Sequence, residues 1–350
     1  MISFLDHDFS QLNFFLQQSK PSKIMVLVDE NTHEFCLPVL MGNLETEIPF
    51  EIIEIEAGED LKTIETATQL WEILTEFEAD RKSLLINLGG GVITDLGGFV
   101  ASTYKRGIRF INIPTTLLGM CDASIGGKTG IDHYFLKNII GTFAEPENIF
   151  VFPDFLNTLP YSQLRSGFAE MLKHGLIADQ KHWNDLISIK HLNAENLFPF
   201  IETSMKIKER IVGQDFKEQH IRKTLNFGHT IGHAIESLFL QTGTAIPHGE
   251  AVALGMICES RLAFLINLIG EVVLGEVEAA ERMEKYLKAL ANPNIDYISI
   301  KISTIFSQII ALDFEHTVEV LVEKLSEIYA QAKKYPYISP NGTKSNKFIN

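Results

Sequence analysis

Short apolar runs punctuate the first part of the chain and give way to helical periodicity in the second. Lys23-Ile-Met-Val-Leu-Val-Asp29 is a continuous apolar stretch closed by polar residues, and Ser83-Leu-Leu-Ile-Asn-Leu88 runs directly into Gly89-Gly90-Gly91. Runs of this length without polar alternation predict strands buried on both faces, as in a parallel sheet. Phe110-Ile-Asn-Ile113, stopped by Pro114, is a third strand candidate, and residues 61–77 carry apolar positions at helical spacing between the first two. Residues 1–155 therefore read as an α/β domain. After Pro160 the strand signals fade, and residues 163–177, 197–212, 224–240, 250–268 and 272–290 each repeat apolar side chains with helical period. Residues 156–335 are expected to form a mainly helical domain, and residues 336–350, which lack periodicity, a flexible tail.

Length supports the division, because 350 residues exceed what one hydrophobic core usually serves. The net charge of −15 argues against nucleic acid or an anionic membrane as the main partner, since both demand a basic surface. An anionic small molecule would have to meet a local cluster of cations. Cys36, Cys121 and Cys258 form no CxxC pair, which points away from a disulfide framework or a thiolate metal site and fits a reducing cytoplasm. The first residues, Met-Ile-Ser-Phe-Leu-Asp-His-Asp, are acidic where a signal peptide would be basic. The most apolar stretch, residues 251–269, contains Glu259 and Arg261, so a buried helix is expected there rather than a membrane span.

Three groups of residues carry candidate chemistry. The loop Gly89-Gly90-Gly91-Val-Ile-Thr-Asp95, continuing into Leu96-Gly97-Gly98, has the make-up of a turn that brings backbone close to a phosphate at a helix N-terminus. Thr94 stands where the dinucleotide fingerprint has its third glycine or alanine, and close strand–helix packing is the competing explanation. Asp29 and Asn31 follow the first strand, where they serve either a ribose or a polar turn. The second group, Asp122-Ala-Ser-Ile-Gly-Gly-Lys128, lacks the first glycine of a Walker loop, which argues against ATP chemistry. It leaves a glycine turn presenting Lys128, with Arg106, Lys137 and Asn138 nearby in sequence, as either an anion site or a solvated cluster.

The third group is Arg222, Asn226, His229 and His233, spaced 4, 3 and 4. On one helix these positions fall within an arc of roughly 60°, a polar stripe flanked by Leu225, Phe227, Ile231, Ala234 and Ile235. Histidines at i and i+4 suit a metal ion, although Thr230-Ile-Gly232 replaces the glutamate of the HExxH motif. Further ligands would come from His248 or Glu170, and two imidazoles with one carboxylate suit zinc or a similar divalent ion. Glu170 and Lys173 lie on adjacent turns of one predicted helix, so a charge-paired surface is the alternative for them.

Together these stretches resemble the 3-dehydroquinate synthase family of sugar-phosphate cyclases. The matching segments are Gly89 to Gly98, Pro114-Thr-Thr-Leu-Leu118, Asp122 to Lys128, Lys137-Asn138, Glu170-Met-Leu-Lys173, Leu225 to Glu236 and His248-Gly-Glu-Ala-Val-Ala253, in order. The resemblance implies a Rossmann-like NAD-binding domain followed by a helical metal- and substrate-binding domain. It implies that Glu170, His229 and His248 hold zinc or cobalt. Asp29, Asn31, Glu59, Lys62, Gly90, Gly91, Asp95, Thr115, Thr116 and Lys137 would contact NAD. Asp122, Lys128, Asn138, Lys173, Asn226 and His233 would contact the substrate or a proton-relaying water, and Lys208 and Arg222 its carboxylate. Arg106 would reach the phosphate held by a neighbouring subunit, implying a homodimer.

The implied substrate is 3-deoxy-D-arabino-heptulosonate 7-phosphate, and the implied reaction is transient oxidation, phosphate elimination, re-reduction, ring opening and aldol closure to 3-dehydroquinate. One departure stands out: the family's late Asp-Lys-Lys stretch is here Asp313-Phe314-Glu315, leaving Lys324, Lys333 or Lys334 as replacements for its phosphate-binding lysine. The rival expectations are a sister cyclase with another sugar phosphate and a glycerol-dehydrogenase-like oxidoreductase. A non-catalytic descendant is disfavoured by the nearly intact polar set. Lys208 and Arg222, needed only for a carboxylate-bearing substrate, favour the quinate reading.

Overall fold

The computed structural model describes residues 1–133, 136–241 and 246–265. The expected helix at 272–290, the tail at 336–350, Asp313 and the late lysines lie outside the described residues. The chain divides into two compact units that interleave in sequence: Met1–Leu172 with Asn184–Lys217, and Lys173–Trp183 with the chain from Glu218 onward.

In the first unit the chain runs β1 (Ile2–Phe4), α1 (Ser10–Ser19), β2 (Ile24–Asp29), α2 (Glu30–Phe35), α3 (Leu37–Asn43), β3 (Phe50–Ile55), α4 (Ile64–Glu76), β4 (Leu84–Gly89), α5 (Gly91–Thr103) and β5 (Arg109–Pro114). A hairpin, β6 (Lys128–His133) with β7 (Leu136–Phe143), precedes β8 (Ile149–Val151). Helices α6 (Tyr161–Ala178), α7 (Gln180–Ile187) and α8 (Ala194–Gln214) follow, and α9 (His229–Gln241) and α10 (His248–Leu265) belong to the second unit.

Six strands form one sheet in the order β1-β8-β5-β4-β2-β3, every pair parallel. Alternate side chains of β2 show why its sequence is apolar throughout. Ile24, Val26 and Val28 join one core with Leu12, Leu16 and Leu40, while Met25 and Leu27 face another with Leu70, Leu74 and Leu96. Each such side chain, fully buried, contributes about 2 kcal/mol. From β2 the chain turns outward to β3 and returns to β4 on the other side, so the strand order reverses between β2 and β4. In open α/β sheets such a reversal leaves a crevice at the carboxyl ends of the strands, here at Asp29 and Gly89.

Half of the glycine-rich segment serves packing. A Cβ on Gly97 would sit 2.0 Å from Asn87 Oδ1, and one on Gly98 2.5 Å from Thr129 Cγ2. These two glycines let α5 lie against the sheet and β6. Asn87, buried in β4, donates from Nδ2 to Asn112 Oδ1 on β5 at 2.9 Å.

The predicted single helix over 224–240 is not what forms. Residues Ile221–Asn226 make a 3-10 turn, Phe227 and Gly228 form a turn, and α9 starts afresh at His229. Gly228 adopts φ +81, open to glycine at little cost. A Cβ there would lie 2.5 Å from Met256 Cγ and 2.7 Å from the Val252 carbonyl oxygen on α10. The break is therefore a tertiary contact between two helices rather than a local preference. Arg222 and Asn226 do not share a helix face with His229 and His233, and the 4-3-4 stripe is corrected on this point.

Candidate functional site

The first unit carries a polar network at the carboxyl side of its sheet. Gly90 caps α5, and a Cβ on it would run into Thr116 Cγ2 at 2.9 Å, so the approach between the β4 and β5 loops needs a glycine. Thr115 donates its backbone N–H to the Gly89 carbonyl at 3.0 Å, tying the two loops together. Asp29 caps α2 by accepting the Thr32 N–H at 2.8 Å, so it serves the turn whatever else it binds; Asn31 is exposed on that helix.

Lys62 is the centre of this network. Its side chain is 3% exposed, its Nζ lies 2.6 Å from Asp95 Oδ2, and it also donates to Asn138 Oδ1. Burial opposes the ammonium charge, yet Asp95, Glu59 and Asp132 together outweigh it and raise the Lys62 pKa, holding it as a cation. Asp132 Oδ1 accepts the Asn138 N–H at 2.7 Å, and Lys137 Nζ lies 3.6 Å from Glu59. Residues expected to touch cofactor (Glu59, Lys62, Asp95, Lys137) and one expected to touch substrate (Asn138) thus form one connected array.

A second pair lies on Gly119–Ala123, a single π-helical turn of a kind frequent at functional positions. Lys208, reaching from α8, places Nζ 2.7 Å from Asp122 Oδ1 and also donates to the Asp122 carbonyl. Lys128 is exposed at the start of β6, after Gly126 and Gly127 with φ +101 and +65, and Arg106 is exposed in a 3-10 turn. Glu170 and Lys173 are 0% and 1% exposed, which removes the charge-paired surface as an explanation of either. The thiols carry no such chemistry: burial pushes Cys36 and Cys258 up to about 12.

The second unit gathers imidazoles. His229, His233 and His248 each offer a ring atom within 4.8 Å of the other two. The ring centroids of His229 lie 5.2 Å from both His233 and His248. The His229 Nδ1 sits 3.3 Å from the Phe227 carbonyl oxygen, and His248 Nδ1 is 3.2 Å from both oxygens of Glu236. Metal-binding histidines characteristically donate one ring N–H to a carbonyl or carboxylate, which fixes the tautomer and turns Nε2 toward the ion. His229 and His248 have that arrangement. His233, half exposed, has Nε2 at 3.9 Å from Glu236. These side chains fit a divalent cation by donor type and spacing.

Arg222 is buried in the 3-10 turn, and Asn226 donates from Nδ2 to Glu218 Oε1 at 2.8 Å. Two residues escaped the sequence reading: Glu236, behind His248, and Glu259, whose buried carboxylate accepts the Gly228 N–H at 2.8 Å. The available signal was a carboxylate set into an otherwise apolar helical stretch, three residues after His233 in one case and inside α10 in the other.

Fold and site define a class: chains pairing a parallel α/β unit of dinucleotide-binding type with a helical unit that carries an imidazole centre. Two family models match, 3-dehydroquinate synthase N-terminal over residues 52–166 and 3-dehydroquinate synthase C-terminal over residues 167–313. The chain belongs to the 3-dehydroquinate synthase family. It is 47% identical over 256 residues to the 3-dehydroquinate synthase of Parabacteroides distasonis, covering 73% of this chain and 72% of that one. Among solved structures it is similar to 2-deoxy-scyllo-inosose synthase complexed with carbaglucose-6-phosphate, NAD+ and Co2+. That match has 26% identity and a TM-score of 0.70, over 84% of this chain and 81% of the other. A 2-epi-5-epi-valiolone synthase from Streptomyces hygroscopicus with NAD+ and Zn2+ bound shares the fold at 24% identity and a TM-score of 0.69, over 94% of this chain and 97% of the other. No helix among the described residues is long and apolar enough to cross a membrane.

Proposed function

We propose that this chain is a phosphorus–oxygen lyase that converts 3-deoxy-D-arabino-heptulosonate 7-phosphate to 3-dehydroquinate and phosphate. The observation that carries the reading is the pair His229 and His248, each backed at Nδ1 by an acceptor. It sits inside family matches that span residues 52–313. By the family resemblance, Glu170, His229 and His248 would hold the divalent ion, zinc or cobalt, the ions carried by the two cyclase neighbours. NAD would be held in the crevice at the carboxyl ends of β2 and β4 by Asp29, Asn31, Gly90, Gly91, Thr115 and Thr116, together with the Glu59, Lys62, Asp95 and Lys137 array. When bound, NAD supplies a reversible hydride acceptor for a substrate alcohol, and the divalent ion polarises substrate oxygens.

The protein's own groups bind, orient and hold protons. Lys208 and Arg222 meet the substrate carboxylate, with Asp122 fixing Lys208 Nζ at 2.7 Å. Lys128, Asn138 and Lys173 supply donors that stabilise the departing phosphate and neighbouring oxygens. Asn226 and His233 orient the substrate or its proton-relaying water. Arg106, exposed on the surface, reaches the phosphate of a second subunit in a homodimer. Three free buried cysteines support residence in the reducing cytoplasm. The test is metal dependence: phosphate release should vanish on chelation and return with zinc or cobalt. Release at the full rate from metal-free protein would overturn the reading.

A further inference from the structure

Helix α9 has an unusual start. The Gly228 carbonyl accepts the Gly232 N–H at 2.9 Å, which makes Gly228 the cap position, yet glycine has no side chain to satisfy the N–H groups that every helix leaves open at this end. The carboxylate of Glu259, on α10 and 0% exposed, does so instead. Its Oε2 accepts the Gly228 N–H at 2.8 Å and its Oε1 the Ile231 N–H at 3.2 Å; the Thr230 N–H donates to the same carboxylate. An acceptor at the positive end of a helix is well placed both by charge and by hydrogen bonding.

The same two helices approach backbone to backbone next to this cap. A Cβ on Gly255 would lie 1.9 Å from the Gly228 carbonyl oxygen, and one on Gly232 3.1 Å from the Ala251 carbonyl oxygen. Glycines remove the bulk that would keep α9 and α10 apart, but glycine contacts alone tolerate sliding and rotation. A carboxylate clamped on the N–H groups of Gly228, Thr230 and Ile231 does not. His229 directly follows Gly228 on α9, and His248 is the first residue of α10.

We propose that Glu259 is a positioning residue of the imidazole centre: by gripping the N–H groups of Gly228, Thr230 and Ile231 it sets the register of α9 against α10, and so the placement of His229 relative to His248. This rests on the reading of those two histidines as metal ligands. Glu259 acts through the backbone and touches no ligand. Glu259→Gln replaces one acceptor oxygen by an amide donor facing a helix N–H and should disturb the register while conserving volume.

The experiment measures the zinc dissociation constant by chelator competition, and the visible absorption spectrum of the cobalt form, for the full chain and for Glu259→Gln, Glu259→Asp and His248→Ala. For Glu259→Gln the expected result is zinc affinity lower by about tenfold or more, with an altered cobalt spectrum, in protein of native circular dichroism; disturbed support of a metal ligand typically costs about 10–100-fold. Glu259→Asp, which keeps the charge but shortens the reach, should show a smaller shift of both readouts and serves if the glutamine variant fails to fold. A wild-type spectrum and affinity in both Glu259 variants, with His248→Ala metal-deficient, would overturn the positioning role alone. Undiminished affinity in His248→Ala would overturn the ligand assignment and this inference with it.

Discussion

His248 and Glu236, twelve residues apart, meet side chain to side chain, with His248 Nδ1 3.2 Å from each carboxylate oxygen. A carboxylate behind a metal-binding imidazole fixes the ring's tautomer and strengthens it as a ligand, the role proposed for Glu236. Glu236→Gln retains an oxygen acceptor but loses the charge. It should raise the zinc dissociation constant by about 10–100-fold in equilibrium titrations while the protein remains folded. An unchanged constant would detach Glu236 from the site.

Lys62 is buried between Asp95 and Asn138, so Lys62→Met should both unfold the protein more easily and weaken NAD binding. Removing one member of a buried pair leaves the other charge uncompensated, a cost of about 3 kcal/mol where the survivor keeps some access to water. Denaturant unfolding of the two proteins checks the first effect and NAD titration the second.

The glutamate at 259 also makes stability depend on pH. Burial pushes its carboxyl up from the ordinary 4.5 to about 7, against the backbone hydrogen bonds that favour the anion. A carboxyl raised on folding binds its proton more tightly in the folded chain. Its contribution is therefore fully present below about pH 4.5 and is lost as pH rises toward 7. Metal-free wild-type protein should lose up to about 1.4 kcal/mol per pH unit from this group in that window. Glu259→Gln should lack this component, which parallel unfolding curves at several pH values would reveal.

Much of this arrangement was legible in the sequence because the first unit's central strands are buried on both faces. The apolar runs ending at Asp29, Leu88 and Ile113 mark β2, β4 and β5 directly. The three-residue strands β1 and β8 are too short to produce a pattern, and β3, with exposed Phe50 and Ile52 and glutamates at 51 and 54, carries no clean alternation. The histidines announced themselves by spacing, but the broken helix before them did not, because Gly228 takes its shape from Met256 and Val252 far along the chain. Glu236 and Glu259 stood out only as carboxylates in apolar helical stretches; their roles were not legible, because their partners are fixed by the packing of α9 on α10.

Arg222 is 2% exposed, and a buried guanidinium is suited to bidentate recognition of a carboxylate. Arg222→Ala should raise the substrate dissociation constant by about tenfold or more, corresponding to loss of a charge-assisted pair of roughly 1.5–3 kcal/mol. Calorimetric titration with the heptulosonate phosphate checks it. Unchanged binding would remove the argument against substrates that lack a carboxylate.

In the proposed reaction NAD is reduced and reoxidised within one turnover. The most direct measurement gives the purified chain heptulosonate 7-phosphate, a divalent ion and substoichiometric NAD+, and follows phosphate, product and NADH together. Many equivalents of phosphate and dehydroquinate are expected per NAD+, with no net accumulation of NADH. Formation of NADH in step with substrate consumption, or failure to release phosphate, would contradict it.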